Sequence, residues 1–325
     1  MRTDKVAFVA GSSGFIGGHL VKRLQSEGYF VVGADIEEPK YNKPDKFYPF
    51  DLRVKNLVAQ IFWPNKFLEG YDHIDEVYSL ACLMGGMGYI GKPEYSYDVM
   101  IGSTQIITNI LDCCVNRGIK VFYSSSACVY NQHIQESEAN PGLKESDAYP
   151  AWPDLIYGWQ KLCSEKMHES AMLSYGLDVR IARFHNIYGP MGTWSGGKEK
   201  APAAICRKVI ESNDTILIWG DGEQTRSFLY IDDCIDAVRL LMQSDFKEPI
   251  NIGSEEMVSI NELAKLAMFI GGKDLKIEHI DGPTGVRGRN SNNDLIRKVL
   301  NWEPKFSLAE GLSKTYHWIE NEMKK

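Results

Sequence analysis

The sequence predicts an α/β protein, a doubly wound parallel sheet with crossover helices, followed by a smaller α/β unit that packs against it. Two observations carry this. In the first half, short apolar runs alternate with longer stretches of helical periodicity, and a glycine-rich turn, Gly11-Ser-Ser-Gly14-Phe-Ile-Gly17, joins the first run to the first helix. Beyond residue 190 or so, the rhythm changes to glycine-rich and charged loops between short strands.

Residues 6–10 are wholly apolar and read as a first strand, and residues 15–26 place Ile16, Leu20 and Leu24 at helical spacing. Gly28 then stands where a helix end favours glycine. A second strand over 29–34 ends at Asp35. Further strands are expected over 76–80, 120–124 and 178–184, separated by helices around 97–117 and 155–174, and six strands fit the pattern. In the second half, 216–219, 228–231 and 250–252 read as short strands, with helices starting at Asp232 and Ser259. Ser259 and Glu262 have capping-box spacing before Leu263 and Leu266. No repeat or Pro/Ser-rich linker divides the chain, so 1–190 and 191–325 are expected to form one unit with a cleft between them, some later segments returning to the first part.

At 325 residues, 44% hydrophobic and 24% charged, the chain has the composition of a globular protein with a full core, which argues against disorder or a fibrous repeat. A net charge of −7 leaves no basic footprint for nucleic acid, but it permits a few clustered Lys and Arg around a small anion. No run approaches the roughly 18 apolar residues of a membrane span. The polar opening, Met1 to Lys5, leaves no room for a signal-peptide core, so a cytoplasmic protein without membrane contact is expected. Seven cysteines, scattered without C-x-x-C or metal-ligand spacing, read as reduced thiols, and no metal site is expected.

Strand, glycine turn, helix, strand and terminal acid occur in the order of a Rossmann dinucleotide site. Gly11, Gly14 and Gly17 permit a tight turn and close approach to a pyrophosphate, while the helix start at Phe15 and Ile16 offers N–H groups to the anion. Asp35 stands where a carboxylate accepts from the adenosine ribose and repels a 2′-phosphate, which favours NAD over NADP. Asp51, after residues 47–50, suits adenine contact or equally a simple turn.

Tyr157 and Lys161 lie four apart on one expected helix face, where the ammonium would favour the phenolate. Ser124-Ser125-Ser126-Ala127-Cys128-Val129-Tyr130 follows a strand and can bring a hydroxyl to the same point. Tyr-x-x-x-Lys alone is common on exposed helices; in order with the glycine turn and the serine run it becomes specific.

Together these residues resemble the extended short-chain dehydrogenase/reductase superfamily. The resemblance implies an NAD enzyme in which Tyr157 is the acid/base, Lys161 supports it and binds ribose, and Ser126 orients the substrate hydroxyl. A narrower resemblance, to the GDP-mannose 3,5-epimerase family, runs from the first strand to the last helix. It rests on Met84-Gly-Gly-Met-Gly-Tyr-Ile90, Ser125-Ser-Ala-Cys128, Arg183-Phe-His-Asn-Ile-Tyr-Gly-Pro190 and Gly192-Thr-Trp194. Glu199-Lys-Ala-Pro-Ala-Ala204, Trp219-Gly-Asp-Gly222, Gln224-Thr-Arg-Ser-Phe228 and Gly285-Val-Arg-Gly-Arg-Asn-Ser291 extend it.

That family's chemistry would convert GDP-mannose to GDP-L-galactose or GDP-L-gulose, with Cys128 and Lys200 moving protons at carbons 3 and 5. A transient ketone at carbon 4 acidifies both neighbouring C–H bonds, and two groups on opposite faces then permit inversion. Lys208, Arg226 and Arg287 would contact diphosphate or sugar, with Asn186 fixing a polar group and the loop at Gly85 covering the sugar. Ala127, Glu199, Ala201, Gln224 and Thr225, within the matching segments, would complete the substrate contacts. By the same resemblance the helices at 97–117 and 155–174 would pair in a homodimer.

Other readings stay open: a nucleotide-sugar 4-epimerase, 4-dehydrogenase or 4,6-dehydratase, or a non-catalytic NAD-binding regulator. Dehydratases carry an acidic pair where this chain has Ala127 and Cys128, and an intact Ser126, Tyr157 and Lys161 argue against a regulator.

Overall fold

The apolar run Val6–Ala10 forms β1, buried along its whole length. The computed structural model describes residues 4–63 and 70–325; the polar opening from Met1 to Thr3 lies outside them. Strand alternation creates two cores, with Ala7 and Val9 facing one and Val6, Phe8 and Ala10 the other, as expected of a parallel strand covered on both faces. After the glycine turn come α1 (Phe15–Ser26), β2 (Phe30–Ala34), β3 (Lys46–Tyr48), α2 (Lys55–Ile61) and β4 (Glu76–Ser79). A single turn, α3 (Met87–Ile90), precedes α4 (Ser103–Arg117), β5 (Lys120–Ser126), α5 (Ile156–Tyr175) and β6 (Val179–Phe184). The helix expected from residue 97 opens as a π-helical turn, Asp98–Gly102, before the α-helix proper.

Next come β7 (Ile187–Tyr188) and, in the second half, α6 (Ala201–Glu211), β8 (Thr215–Trp219), β9 (Thr225–Ser227), β10 (Leu229–Tyr230) and α7 (Ile231–Gln243). It continues with β11 (Ile250–Ile252), β12 (Met257–Ser259), α8 (Ile260–Ile270), β13 (Lys276–Ile280), β14 (Gly288–Arg289), α9 (Asp294–Leu300) and α10 (Leu308–Met323). The strand expected over 228–231 shortens to β10, which pairs with β7, because α7 already begins at Ile231; β9, just before it, pairs with β12 and β14. The capping box at α8 forms, Ser259 Oγ accepting from Glu262 N at 3.1 Å and the Glu262 carboxylate from Ser259 N at 2.7 Å.

Seven strands, not six, make the main sheet, in the order β11-β6-β5-β4-β1-β2-β3, with every neighbouring pair parallel. Beyond the five strands named for the first half, the sheet gains β3 and β11, the latter a three-residue Ile-Asn-Ile run that returns from the second half to pair with β6. Its length is too short for periodicity to assign it to a sheet. Strand order reverses between β1 and β4, which opens a crevice at their carboxyl ends. At the opposite end, Arg239 of α7 binds Glu27 and Glu76 at 2.7 Å each and contacts Tyr29 and Tyr78, tying the second half to the sheet. No helix among the described residues is long and apolar enough to cross a membrane.

Candidate active site

The crevice begins at the glycine turn. Gly11 adopts φ +83°, and a Cβ there would lie 2.9 Å from Ala81 N; one at Gly17 would lie 2.0 Å from the Gly11 carbonyl. Only glycine lets α1 approach the ends of β1 and β4 this closely. Gly14 is the N-cap of α1, and Phe15 and Ile16 form its first turn, where N–H groups lack intrahelical acceptors. The buried hydroxyl oxygens of Ser12 and Ser13 have no partner among the described residues, an arrangement suited to pyrophosphate oxygens.

Asp35, just after β2, accepts from Ser13 N at 3.1 Å and Ile36 N at 2.8 Å. Burial pushes its carboxyl upward, and these N–H groups oppose that shift. Asp51 follows β3 and is paired with Arg53 at 2.7 Å, which holds its carboxyl below the usual range.

At the start of α5, Tyr157 is buried, and the Ser126 side chain acts to lower the pKa of its phenol. Lys161 is buried one turn on, its Nζ 5.6 Å from the Tyr157 ring centre and donating to the Ser124 carbonyl at 2.6 Å. The sequence led us to expect a lowered tyrosine pKa. Instead burial dominates and pushes the phenol well above its ordinary value, reinforced by Cys82 and Cys128 and opposed by Ser126. Ser126 Oγ also accepts from Cys128 N at 3.2 Å, capping the short turn Ala127–Val129. A Cβ on Gly158 would lie 2.1 Å from the Cys128 carbonyl, so the glycine beside Tyr157 brings that turn onto α5.

Lys200 is the N-cap of α6, and its ammonium interacts electrostatically with Cys128. Burial lowers its pKa, the thiols nearby opposing, and the positive end of the helix acts in the same direction as burial. Ala201 is the first residue of α6, and Glu199 accepts from Gly197 N at 2.6 Å and pairs with Arg207 at 3.4 Å. Asn186 adopts φ +44° and donates to Ser227 O at 2.9 Å. Gln224 is buried, donates to Trp219 O at 3.2 Å and leaves its Oε1 without a partner among the described residues. Thr225 Oγ1 donates to Glu138 O at 2.6 Å.

Arg226 is half-buried, donates to the Val286 carbonyl at 2.6 Å and is pushed down to about 9, first by desolvation of its guanidinium and then by Arg289. Arg289, which no local sequence signal sets apart from Arg287, stands opposite Arg226 in the β14–β9 register. Its Nη1 lies 3.3 Å from Cys128 Sγ, its Nη2 3.3 Å from Asp154 and its Nε 2.6 Å from Gln135. Arg287, the arginine chosen from the same segment, instead meets Asp221 at 2.8 Å and Glu138 at 2.6 Å on the exposed side. Lys208 donates to Leu217 O at 2.6 Å beside Trp219. Gly85 packs on Tyr89, whereas its neighbour Gly86 meets the segment before Lys200.

Two arginines, one of them buried, a thiol, an amine and a tyrosine–lysine pair thus lie within electrostatic reach of their neighbours at the carboxyl end of the sheet. Residues 7–253 match the model of the NAD dependent epimerase/dehydratase family. The chain is 46% identical to GDP-mannose 3,5-epimerase of Arabidopsis thaliana over 98% of this chain and 82% of that protein. It is 45% identical, with the same coverage, to GDP-mannose 3,5-epimerase 1 of Oryza sativa subsp. japonica. Among solved structures, UDP-glucose 4-epimerase of Thermotoga maritima, with UDP-glucose, superposes with a TM-score of 0.84 at 26% identity, covering 98% of this chain and 99% of that one. The chain therefore belongs to the NAD dependent epimerase/dehydratase family and, within it, groups with the GDP-mannose 3,5-epimerases.

Proposed function

We propose that this NAD-dependent enzyme epimerises GDP-mannose at carbons 3 and 5 through transient oxidation at carbon 4. The observation that carries the reading beyond simple redox chemistry is the presence of Cys128 and Lys200, within electrostatic reach of one another, in the chamber that holds Tyr157. A pure 4-epimerase needs Tyr157 but neither of the other two.

NAD, when bound, supplies the acceptor and donor of the carbon-4 hydride. The turn from Gly11 to Gly17 and Asp35 would hold its pyrophosphate and adenosine ribose, with Asp51 toward the adenine and Lys161 at the second ribose. Tyr157, with Ser126 acting on its phenol, takes the carbon-4 hydroxyl proton and later returns it. The ketone acidifies the flanking C–H bonds, and Cys128 and Lys200 remove and return those protons from opposite faces. The lowered pKa of Lys200 lets it accept a proton as well as donate one nearer neutrality. Arg289 fixes the Cys128 sulfur, and Arg226 with Lys208 faces the diphosphate.

The enzyme acts in the cytoplasm as a homodimer. Ile101, Ile156 and Trp159, beside or on the packed helices α4 and α5, remain exposed in the single chain and supply apolar surface for pairing.

Incubation with GDP-mannose in heavy water, followed by NMR, tests the activity. The expected result is a new GDP-hexose carrying deuterium at carbons 3 and 5. Turnover of other nucleotide sugars with no exchange from GDP-mannose would favour a 4-epimerase or 4-dehydrogenase instead.

A further inference from the structure

No hydrogen bond or ion pair holds the Lys200 ammonium among the described residues; burial and longer-range charges alone act on it. Its position therefore depends on its backbone. Two restraints on that backbone lie within its own segment: Ala204 N donates to Lys200 O at 3.0 Å to start α6, and Glu199 is fixed by Gly197 N and Arg207.

The third restraint comes from a distant part of the chain. Gly86 N donates to Lys198 O at 3.0 Å, and a Cβ on Gly86 would lie 2.4 Å from the Glu199 carbonyl oxygen. Gly86 has φ −71°, a conformation open to any residue, so the requirement for glycine there is one of space. Three residues on, the Tyr89 ring lies 4.8 Å from the Lys198 ammonium and stacks on Tyr95 at 4.3 Å. The loop at Gly86 thus grips the two residues that precede Lys200.

We infer that Gly86 is a positioning residue for Lys200: the Gly86 loop clasps the 198–199 backbone and sets where the amine meets the sugar ring. This rests on the reading of Lys200 as a proton-handling group. A side chain at Gly86 must push the Glu199 carbonyl away and carry Lys200 with it, and misplacement of about 1 Å is enough to lower a rate on the order of 100-fold. Hydride transfer depends on Tyr157 of α5, which lies outside the clasped segment, so it is spared.

The test compares full-length, NAD-loaded Gly86→Ala with Lys200→Met and Cys128→Ala. For Gly86→Ala, kcat for inversion should fall roughly 10- to 100-fold while KM for GDP-mannose stays within about twofold. Reduced-nicotinamide absorbance should still develop on adding sugar, and the deuterium pattern in heavy water should follow that of Lys200→Met. The pH limb lost in Lys200→Met should move upward, because a displaced amine regains water. Gly88→Ala, whose Cβ would lie 3.3 Å from Gly197 O, should show a smaller change in the same direction. Tyr89→Leu loosens the clasp without adding an atom, and carries the test if Gly86→Ala fails to fold.

A raised KM with equal losses of oxidation and exchange would make Gly86 a sugar contact and overturn the inference. Near-native turnover, or reduced turnover with an unmoved pH limb, would overturn it too. Native inversion in Lys200→Met would instead remove the role of Lys200, and the inference with it.

Discussion

Arg287 and Arg289 stand two residues apart, and the fold gives them different surroundings. Arg287 lies among exposed carboxylates, where ion pairs contribute little, about 0–1 kcal/mol. Arg289 is buried against Cys128, Asp154 and Gln135, and burial opposes its charge while Cys128 and Asp154 restore it. Arg287→Ala should therefore leave kcat/KM for GDP-mannose within about threefold, whereas Arg289→Met should lower it on the order of 100-fold or more. Steady-state kinetics of the two variants check this, and the reverse order would contradict the assignment. The segment was legible in the sequence but the choice between the arginines was not, since that depends on β14 pairing with β9 far away in the chain. The same limit applies to Tyr157, where the Lys161 spacing was readable but the burial that outweighs it was not. Tyr157 and Lys200 accept protons only when deprotonated, the first held high and the second low. The rate should accordingly rise with pH, and the acid-side limb lost in Lys200→Met should lie below the ordinary lysine range; kcat/KM against pH measures both.

Elements with long, strongly patterned sequences were the legible ones: β1 and α1 match their expected bounds because burial and helical spacing coincide there. Short elements were less so, as β11, β9 and the shortened β10 show, because pairing partners rather than local preference decide them. On α5 the readable spacing of Tyr157 and Lys161 continues one turn further to Glu165, whose partner could not be read. Glu165 accepts from Arg183 of β6 at 3.0 and 2.8 Å and from Ser125 at 2.5 Å, all three buried. The pair locks α5 to the strand that pairs with the serine run. Arg183→Met would leave the Glu165 charge buried without its partner and should destabilise the fold by about 3–5 kcal/mol, as one-sided loss of a buried pair does. Urea unfolding of the NAD-loaded protein measures the change, and a loss under about 1 kcal/mol would show the pair to be dispensable.

At the scale of the molecule, the rhythm of the sequence changes near residue 190, but the packing does not part there. β11 extends the sheet edge at β6, α7 packs on α1, and Tyr188 donates to Leu308 O at 3.2 Å across the second half. Arg239 closes the arrangement from the other end by binding Glu27 and Glu76. Severing the chain after residue 190 would open the β6 edge, strip α7 from the core around Leu20 and Leu24, and leave two carboxylates without their arginine. An exposed sheet edge and an uncovered apolar face both favour association over folding. The 1–190 fragment should therefore fail to fold on its own, whereas the whole chain should unfold in a single transition with NAD bound. Near-UV circular dichroism during thermal melting distinguishes the two outcomes. A fragment that melts as sharply as the whole chain would mean that the glycine-turn half is an independent domain and that β11 and α7 only decorate it.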